Sequence, residues 1–283
     1  MLQRIKAAYV SSYLTLVSVI SAYALWQLIQ GQDLIAWGGV LLAAAPMALV
    51  IGFLMVKPVM ARTSADLPEA HIPIAIGVVL AVWASTTSDE YTWVPSLLAL
   101  ISYGGFLLYV YWYSRYGRVK SQALEVGKSL PPFTLTDIDN QQISSADLIQ
   151  KPSVILFYRG NWCPLCMAQI KEIASQYQEL ETLGAEVILV SPQPHKNTRS
   201  LARKFDVNFR FMTDENNAAA RALNIASDFG IPTGLEAMGY DTEAPMPTVI
   251  ITDATGKVVW THETDNYRVR PEPETFLTVL KAL

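Results

Sequence analysis

Sulfur and imidazole are scarce in this chain: its 283 residues contain two cysteines, Cys163 and Cys166, and three histidines, His71, His195 and His262. A structural zinc site takes four ligands and commonly draws on a second Cys or His pair, so thiol chemistry is the stronger reading of the cysteines and a zinc-holding module the weaker. Charge is scarce too, with 16% charged residues and a net charge of −4. With no basic excess and no basic stripe, nucleic acid is excluded as an expected partner. The charges are also unevenly spread: residues 1–120 hold seven Lys/Arg and five Asp/Glu, the remainder fourteen and twenty. A chain that is 51% hydrophobic and so poor in charge at its start is expected to lie partly in a membrane.

Four long apolar runs occupy that start, at about 7–29, 34–56, 72–88 and 93–113, each near the roughly 20 residues that span hydrocarbon. Their interiors carry no Lys, Arg, Asp or Glu, no cysteine to relay a disulfide and no His pair to hold a haem. The expectation is a four-helix membrane anchor over residues 1–118, without a cofactor. Arg4 and Lys6 precede the first run, Lys57 and Arg62 follow the second, and Arg115, Arg118 and Lys120 follow the fourth, whereas the other two connections hold Asp33, Asp89 and Glu90. The positive-inside rule then places both termini in the cytoplasm of a multi-pass inner or plasma membrane protein. Tyr91 and Trp93 at one end of the last run, with Tyr111, Trp112, Tyr113 and Tyr116 at the other, read as interfacial anchors. A cleaved signal peptide ending near Ala22-Tyr23-Ala24 is the competing reading, but the apolar run continues through Leu25, Trp26, Leu28 and Ile29. Gly38, Gly39, Gly104 and Gly105 could allow close helix packing.

Both cysteines fall in Tyr158-Arg159-Gly160-Asn161-Trp162-Cys163-Pro164-Leu165-Cys166, after the apolar run 154–157 and before a helical pattern. A strand that turns into a helix at a C-x-x-C puts the first sulfur at the helix N-terminus, where unpaired N–H groups favour a thiolate. Cys163 is the expected nucleophile. Cys166, one turn on and less exposed, is the expected resolving thiol. Pro164 suits the first helical turn, where its missing N–H costs nothing. Apolar residues at Ile170, Ile173, Ala174, Tyr177 and Leu180 make one buried helical face.

Strands are expected at 153–158, 186–190 and 209–212, with helices over 197–204 and 216–223, an irregular stretch at 227–245, and a hairpin of 248–252 with 257–261. A last helix starts near Pro271. This order describes an α/β domain over residues 124–283, with a central mixed sheet flanked by helices in a thioredoxin-like arrangement.

Several separated motifs carry a family likeness. Gly127-x-x-Leu130-Pro131-x-Phe133-x-Leu135, the core Phe157-Tyr158-Arg159-Gly160-x-Trp162-Cys163-Pro164-x-Cys166, Ser191-Pro192-Gln193, Pro247-Thr248 before Asp253-x-x-Gly256, and the tail Asp265-Asn266-Tyr267-Arg268-Val269-Arg270-Pro271 occur in order. Residues 124–283 resemble the redoxin group of the thioredoxin superfamily, the alkyl hydroperoxide reductase and thiol-specific antioxidant proteins, in their peroxiredoxin-like branch. The resemblance implies a thiol oxidoreductase acting on a peroxide or a protein disulfide, restored by an external dithiol such as the thioredoxin or glutathione system. Typical peroxiredoxins have Thr or Ser three residues before the reactive cysteine and Pro seven before, where this chain has Gly160 and Leu156. The Trp-Cys-Pro-x-Cys core is closer to thioredoxins and glutaredoxins, which exchange disulfides.

The same resemblance sets Pro247, after Met246 and before Thr248, where thioredoxin-like proteins hold a cis-proline that presents backbone to an extended substrate. Arg159, and Arg270 if the tail folds back, are candidates to stabilise the thiolate, against a reading as solvated arginines. Trp162 is expected to shield the sulfur, or else to serve as an ordinary core aromatic. His195 and His262 read as loop or strand-end residues rather than a general base. A non-enzymatic redox sensor read by the membrane region is the alternative from outside the enzyme class.

Overall fold

The computed structural model describes residues 1–87 and 92–283. Asp89, Glu90, Tyr91 and the last residue of the third apolar run lie outside it. The chain divides into two compact units, Ala8–Lys57 with Ser64–Arg115, and Met1–Ala7 with Pro58–Thr63 and Tyr116–Leu283.

The first unit is built from α1 (Leu2–Ile29), α2 (Leu34–Val56), α3 (Pro68–Thr87) and α4 (Val94–Leu108), the last continuing as a π turn over Tyr109–Tyr113. With that turn included, all four are long and apolar enough to cross a membrane. The third starts four residues before the expected 72, because Pro68 supplies a ready helix start. Asp33 caps α2 by accepting the Ala36 N–H at 2.7 Å.

Close packing rests on fewer glycines than the sequence offered. A Cβ on Gly39 would stand 2.7 Å from the Gly77 carbonyl oxygen, and one on Gly77 would stand 2.6 Å from that of Gly39, so α2 and α3 meet backbone to backbone. Gly105 receives the Tyr13 ring, while Gly38 and Gly104 face open space. Trp112 and Tyr113 pack against Tyr9, at 5.4 and 6.1 Å between ring centres, so their role includes packing within the unit.

The second unit centres on a seven-stranded sheet. Its elements run β1 (Thr134–Thr136), β2 (Gln142–Ser144), α5 (Ser145–Leu148), β3 (Ser153–Phe157), α6 (Pro164–Ser175), α7 (Tyr177–Thr182), β4 (Glu186–Ser191), α8 (His195–Ala202), β5 (Arg210–Thr213) and α9 (Ala218–Ala222). They continue with β6 (Ala226–Ser227), β7 (Ala244–Pro245), β8 (Thr248–Thr252), β9 (Val258–Glu263) and α10 (Pro273–Leu280). The sheet order is β2-β1-β5-β4-β3-β8-β9. β3 pairs parallel with β4 and antiparallel with β8, which pairs antiparallel with β9.

That is a mixed sheet with the strand before C-x-x-C at its centre, a helical crossover to a parallel neighbour, then an antiparallel hairpin and a closing helix: the thioredoxin-like fold. β3 is buried on both faces, which explains its continuous apolar run. Val154 and Leu156 face a core containing Ile170 of α6 and Phe276 of α10, and Ile155 and Phe157 face Leu148, Ile188 and Leu223.

Two expectations shift. The stretch 227–245 is closed at its base by the short pair β6–β7, with Ala226 opposite Pro245 and Ser227 opposite Ala244. α8 starts at His195, directly after Pro194, whose carbonyl accepts the Asn197 N–H at 2.7 Å.

The linker after the fourth helix is held by an ion pair. Arg118 donates to the Glu263 carboxylate at 2.9 Å, and both side chains are almost fully buried. Glu263 also accepts the Ser121 N–H at 2.9 Å, and Asp265 accepts the Arg118 N–H at 2.7 Å. Burial lowers the Arg118 pKa, with the Glu263 charge opposing it. Removing one partner strands a buried charge, so Arg118→Met alone is expected to cost about 3–5 kcal/mol. Arg118→Met with Glu263→Gln is expected to recover most of that loss, and thermal unfolding of the full chain in detergent measures both.

Candidate active site

The two sulfurs sit where β3 turns into α6. Cys163 is the N-cap of α6 and Pro164 opens its first turn. The Cys166 N–H donates to the Cys163 Sγ at 3.4 Å, a charge-stabilising bond at the positive end of the helix. Both thiols are free, with relative exposures of 2% for Cys163 and 0% for Cys166. The difference in exposure expected between them is therefore nearly absent, because Tyr158, Leu165, Ile170 and the partly buried Trp162 enclose the pair in one apolar cluster.

Into that cluster the tail returns a cation. Arg270 is 5% exposed, and its Nη2 donates to Cys166 Sγ at 3.4 Å and stands 3.9 Å from Cys163 Sγ. Its Nη1 donates to Gln169 Oε1 at 2.8 Å and its Nε to the Tyr267 carbonyl at 3.1 Å. Burial opposes its charge, but Cys166 and then Cys163 outweigh that and raise its pKa.

Ionisation differs from the sequence expectation of an acidic Cys163. Burial pushes the Cys163 thiol up, and its hydrogen bond to Cys166 and the negative charge there push it further. Burial also works against the Cys166 thiolate. The Cys163 hydrogen bond and then the Arg270 charge overcome it and bring Cys166 down to about 5. The helix terminus alone does not decide the order: the hydrogen bond between the sulfurs, and then the Arg270 charge, favour the thiolate at Cys166. The pair behaves as one unit that loses its first proton easily and its second with difficulty, and the two sulfurs share the remaining proton.

Arg159 is not a solvated arginine. It is 6% exposed, stacks on Trp162 at 4.7 Å and on Tyr267 at 5.2 Å, and donates from Nε to the Gly230 carbonyl at 3.1 Å. Its charge works with that of Arg270 against the rise at Cys163. Gly160 has φ +143°, and a Cβ there would lie 2.7 Å from Trp162 Nε1, so the hydroxyl that typical peroxiredoxins carry at this position has no room.

The cis-proline expectation is overturned: the Met246–Pro247 peptide is trans, the isomer X-Pro bonds ordinarily favour. Nor is the Met246 backbone offered to a substrate strand. Its N–H donates to the Ile225 carbonyl at 2.7 Å, and its carbonyl accepts the Thr248 hydroxyl at 2.8 Å. The Pro247 carbonyl and the Thr248 hydroxyl both accept from Arg118, at 3.3 and 3.0 Å.

His195 Nε2 lies 2.7 Å from the Asp137 carbonyl. His262 lies on β9, where burial, then Arg118 and Arg270, lower its pKa and keep it neutral.

Two glutamines carry parts of the site that the motifs did not assign. Gln169 follows Cys166 by three residues on the otherwise apolar face of α6, and that polar interruption was the available signal. Gln193, 1% exposed, accepts the Asn161 N–H at 2.8 Å and donates to Tyr158 Oη at 3.1 Å, fixing the turn that leads into Cys163. It stands in the Ser-Pro-Gln loop already singled out.

Residues 126–261 match the model of the AhpC/TSA family. Peroxiredoxin Q from the chloroplast of Sedum lineare is 30% identical over 116 residues, which are 41% of this chain and 62% of that protein. A putative peroxiredoxin bcp of Helicobacter pylori is 30% identical over 35% of this chain and 65% of its own. The thiol-disulfide oxidoreductase ResA of Bacillus cereus is 26% identical over 58% of this chain and 81% of its own. The chain thus spans less than two thirds of the length of the peroxiredoxin Q relatives it matches, 62% and 60% for those of Sedum lineare and Triticum aestivum. Among solved structures, peroxidoxin BcpB of Mycobacterium tuberculosis aligns over 56% of this chain and 98% of that one, with 16% identity and a TM-score of 0.48. Over residues 126–261, just under half of its length, the chain is therefore similar to the redoxin domains of the AhpC/TSA family.

Proposed function

We propose that this protein is a membrane-anchored thiol oxidoreductase with peroxiredoxin-like antioxidant activity, using Cys163 and Cys166 as a dithiol–disulfide couple. The observation that carries the reading is a buried guanidinium, Arg270, hydrogen-bonded to a pair of free thiols at a helix start. Cys163 attacks a peroxide oxygen as its proton passes along the S–H···S bond to Cys166. The O–O bond breaks, the departing alkoxide or hydroxide takes a proton from solvent and leaves as alcohol or water, and Cys163 becomes a sulfenic acid. Cys166 then displaces water from that sulfur and closes an intramolecular disulfide. An external dithiol, from a thioredoxin or glutathione system, reduces it by two exchange steps.

Burial favours a small oxidant over a protein disulfide. Sulfurs with exposures of 2% and 0% admit a peroxide more readily than an extended chain, and the Met246 backbone that would pair with such a chain is already bonded internally. Thioredoxin-type reduction of protein disulfides is the alternative, favoured by the Trp-Cys-Pro-Leu-Cys core. Trp162 and Arg159 act in this scheme as the cover over Cys163.

Four helices long and apolar enough to span support the membrane placement. The basic residues flanking those helices point to the cytoplasmic side.

Three outcomes test the proposal. With hydrogen peroxide and an external dithiol, Cys163→Ser is expected to abolish turnover, while Cys166→Ser given hydrogen peroxide without the dithiol stops after one equivalent with a sulfenic acid on Cys163, read by stopped flow and mass spectrometry. The thiolate is present above the first ionisation of the pair and lost as pH falls through it, so alkylation of the reduced protein should fall off below about pH 5. Arg270→Met is expected to move that midpoint upward by one unit or more, on the order of tenfold in thiolate at acid pH. A C-terminal fluorescent fusion is expected to be bright and a phosphatase fusion inactive; the reverse would put the domain on the exported side.

A further inference from the structure

We propose that Arg62 and Thr63, from the segment between α2 and α3, are positioning residues of the dithiol: they pin the 264–271 tail so that the Arg270 guanidinium stays on the two sulfurs. The proposal rests on the reading of Cys163 and Cys166 as the redox pair, and it adds to that pair a component from outside the family domain. Neither residue touches a sulfur.

The tail is held on both sides of Arg270. Two residues before it, the Arg268 carbonyl accepts the Thr63 N–H at 3.0 Å, and Arg268 Nη1 donates to Thr63 Oγ1 at 2.8 Å. One residue after it, the Pro271 carbonyl accepts from Arg62 Nη2 at 3.3 Å. The same Arg62 nitrogen pairs with the Glu172 carboxylate, and its Nη1 stands 3.9 Å from Glu272. Glu172 lies on α6, three residues beyond Gln169, which accepts from Arg270. Segment 58–63 therefore joins the tail that carries the cation to the helix that carries the sulfurs.

Arg268 is itself 2% exposed, so its end of the part-buried bond to Thr63 lies inside the protein. A charge-assisted N–H···S contact at 3.4 Å weakens steeply with displacement, and a stretch fixed two residues before and one residue after leaves the guanidinium little slack. The other ionisable groups facing the thiols or their guanidinium are Arg159, from the β3–α6 connection, Tyr158, just after β3, His262 on β9, and Tyr116, two residues before Arg118.

The test is the pH profile of alkylation of the reduced full chain in detergent. Thr63→Val removes the hydroxyl that Arg268 uses, keeps the shape and changes no charge, so direct electrostatics does not confuse it. The expected result is an upward shift of the midpoint, with thiolate reactivity about threefold lower on the acid limb, and Thr63→Ser restoring the original profile. Arg62→Gln combined with Thr63→Val is expected to lower it about tenfold. If Thr63→Val does not fold, Thr63→Ala, which also removes the hydroxyl without changing a charge, carries the same expectation and the same overturning result. Unaltered profiles in Thr63→Val and in the double variant would overturn the proposal. Alkylation needs no turnover, so failure of the unaltered chain to cycle with peroxide or disulfide overturns the proposed function and is read separately from this result.

Discussion

A guanidinium taken out of water needs a negative charge beside it, because an unpaired ion in a protein interior costs several kcal/mol even after relaxation. Arg270 meets that constraint with sulfur. Its remaining N–H groups are taken up by a side-chain amide and a main-chain carbonyl, and the thiol pair supplies the anion. The dependence is mutual: the cation makes a buried thiolate affordable, and the thiolate keeps the cation in place. In the proposed cycle, closure of the pair to a disulfide would remove the anion and leave the guanidinium uncompensated. The reduced form gains by that asymmetry, in the direction of a more oxidising couple.

The rest of the domain can be understood as what brings that cation to those sulfurs. β3 carries the chain to the middle of the sheet, buried on both faces, and releases it at the start of α6. The hairpin of β8 and β9 then sends the chain back along the same side, so that the residues after it return to the helix they left a hundred positions earlier. Arg118 and Glu263 lock the beginning of the domain to the end of that hairpin. Each step places charge or hydrogen-bonding groups in an apolar setting, where misplacement is costly and a partner is obligatory.

Much of this was legible in the chain. The apolar run into C-x-x-C, Pro164 in the first turn, and the spacing of Ile170 and Ile173 give the strand, the helix start and the buried face from local rules. Likeness to a family brought Arg270 and the tail into consideration. Local rules could not show that Gly39 needs Gly77, or that Arg62 and Arg118 have carboxylate partners more than a hundred residues away. Before those partners were seen, the two arginines served only as topology signals. The order of ionisation was likewise hidden: the helix terminus speaks for Cys163, but the hydrogen bond between the sulfurs, and after it the charge of a residue 104 positions from Cys166, favour the other sulfur. The cis-proline expectation failed for a similar reason, since Met246 has its amide committed to Ile225 and its carbonyl to Thr248.

A dithiol that holds a single proton between its two sulfurs has an electrochemical signature. Between its two ionisations, reduction of the disulfide takes up two electrons but only one hydrogen ion. The midpoint potential of such a couple drops by about 30 mV for each rise of one pH unit, half the slope of a couple whose thiols are both protonated. Over the neutral range this makes the protein's tendency to accept electrons comparatively insensitive to acidification or alkalinisation of its surroundings.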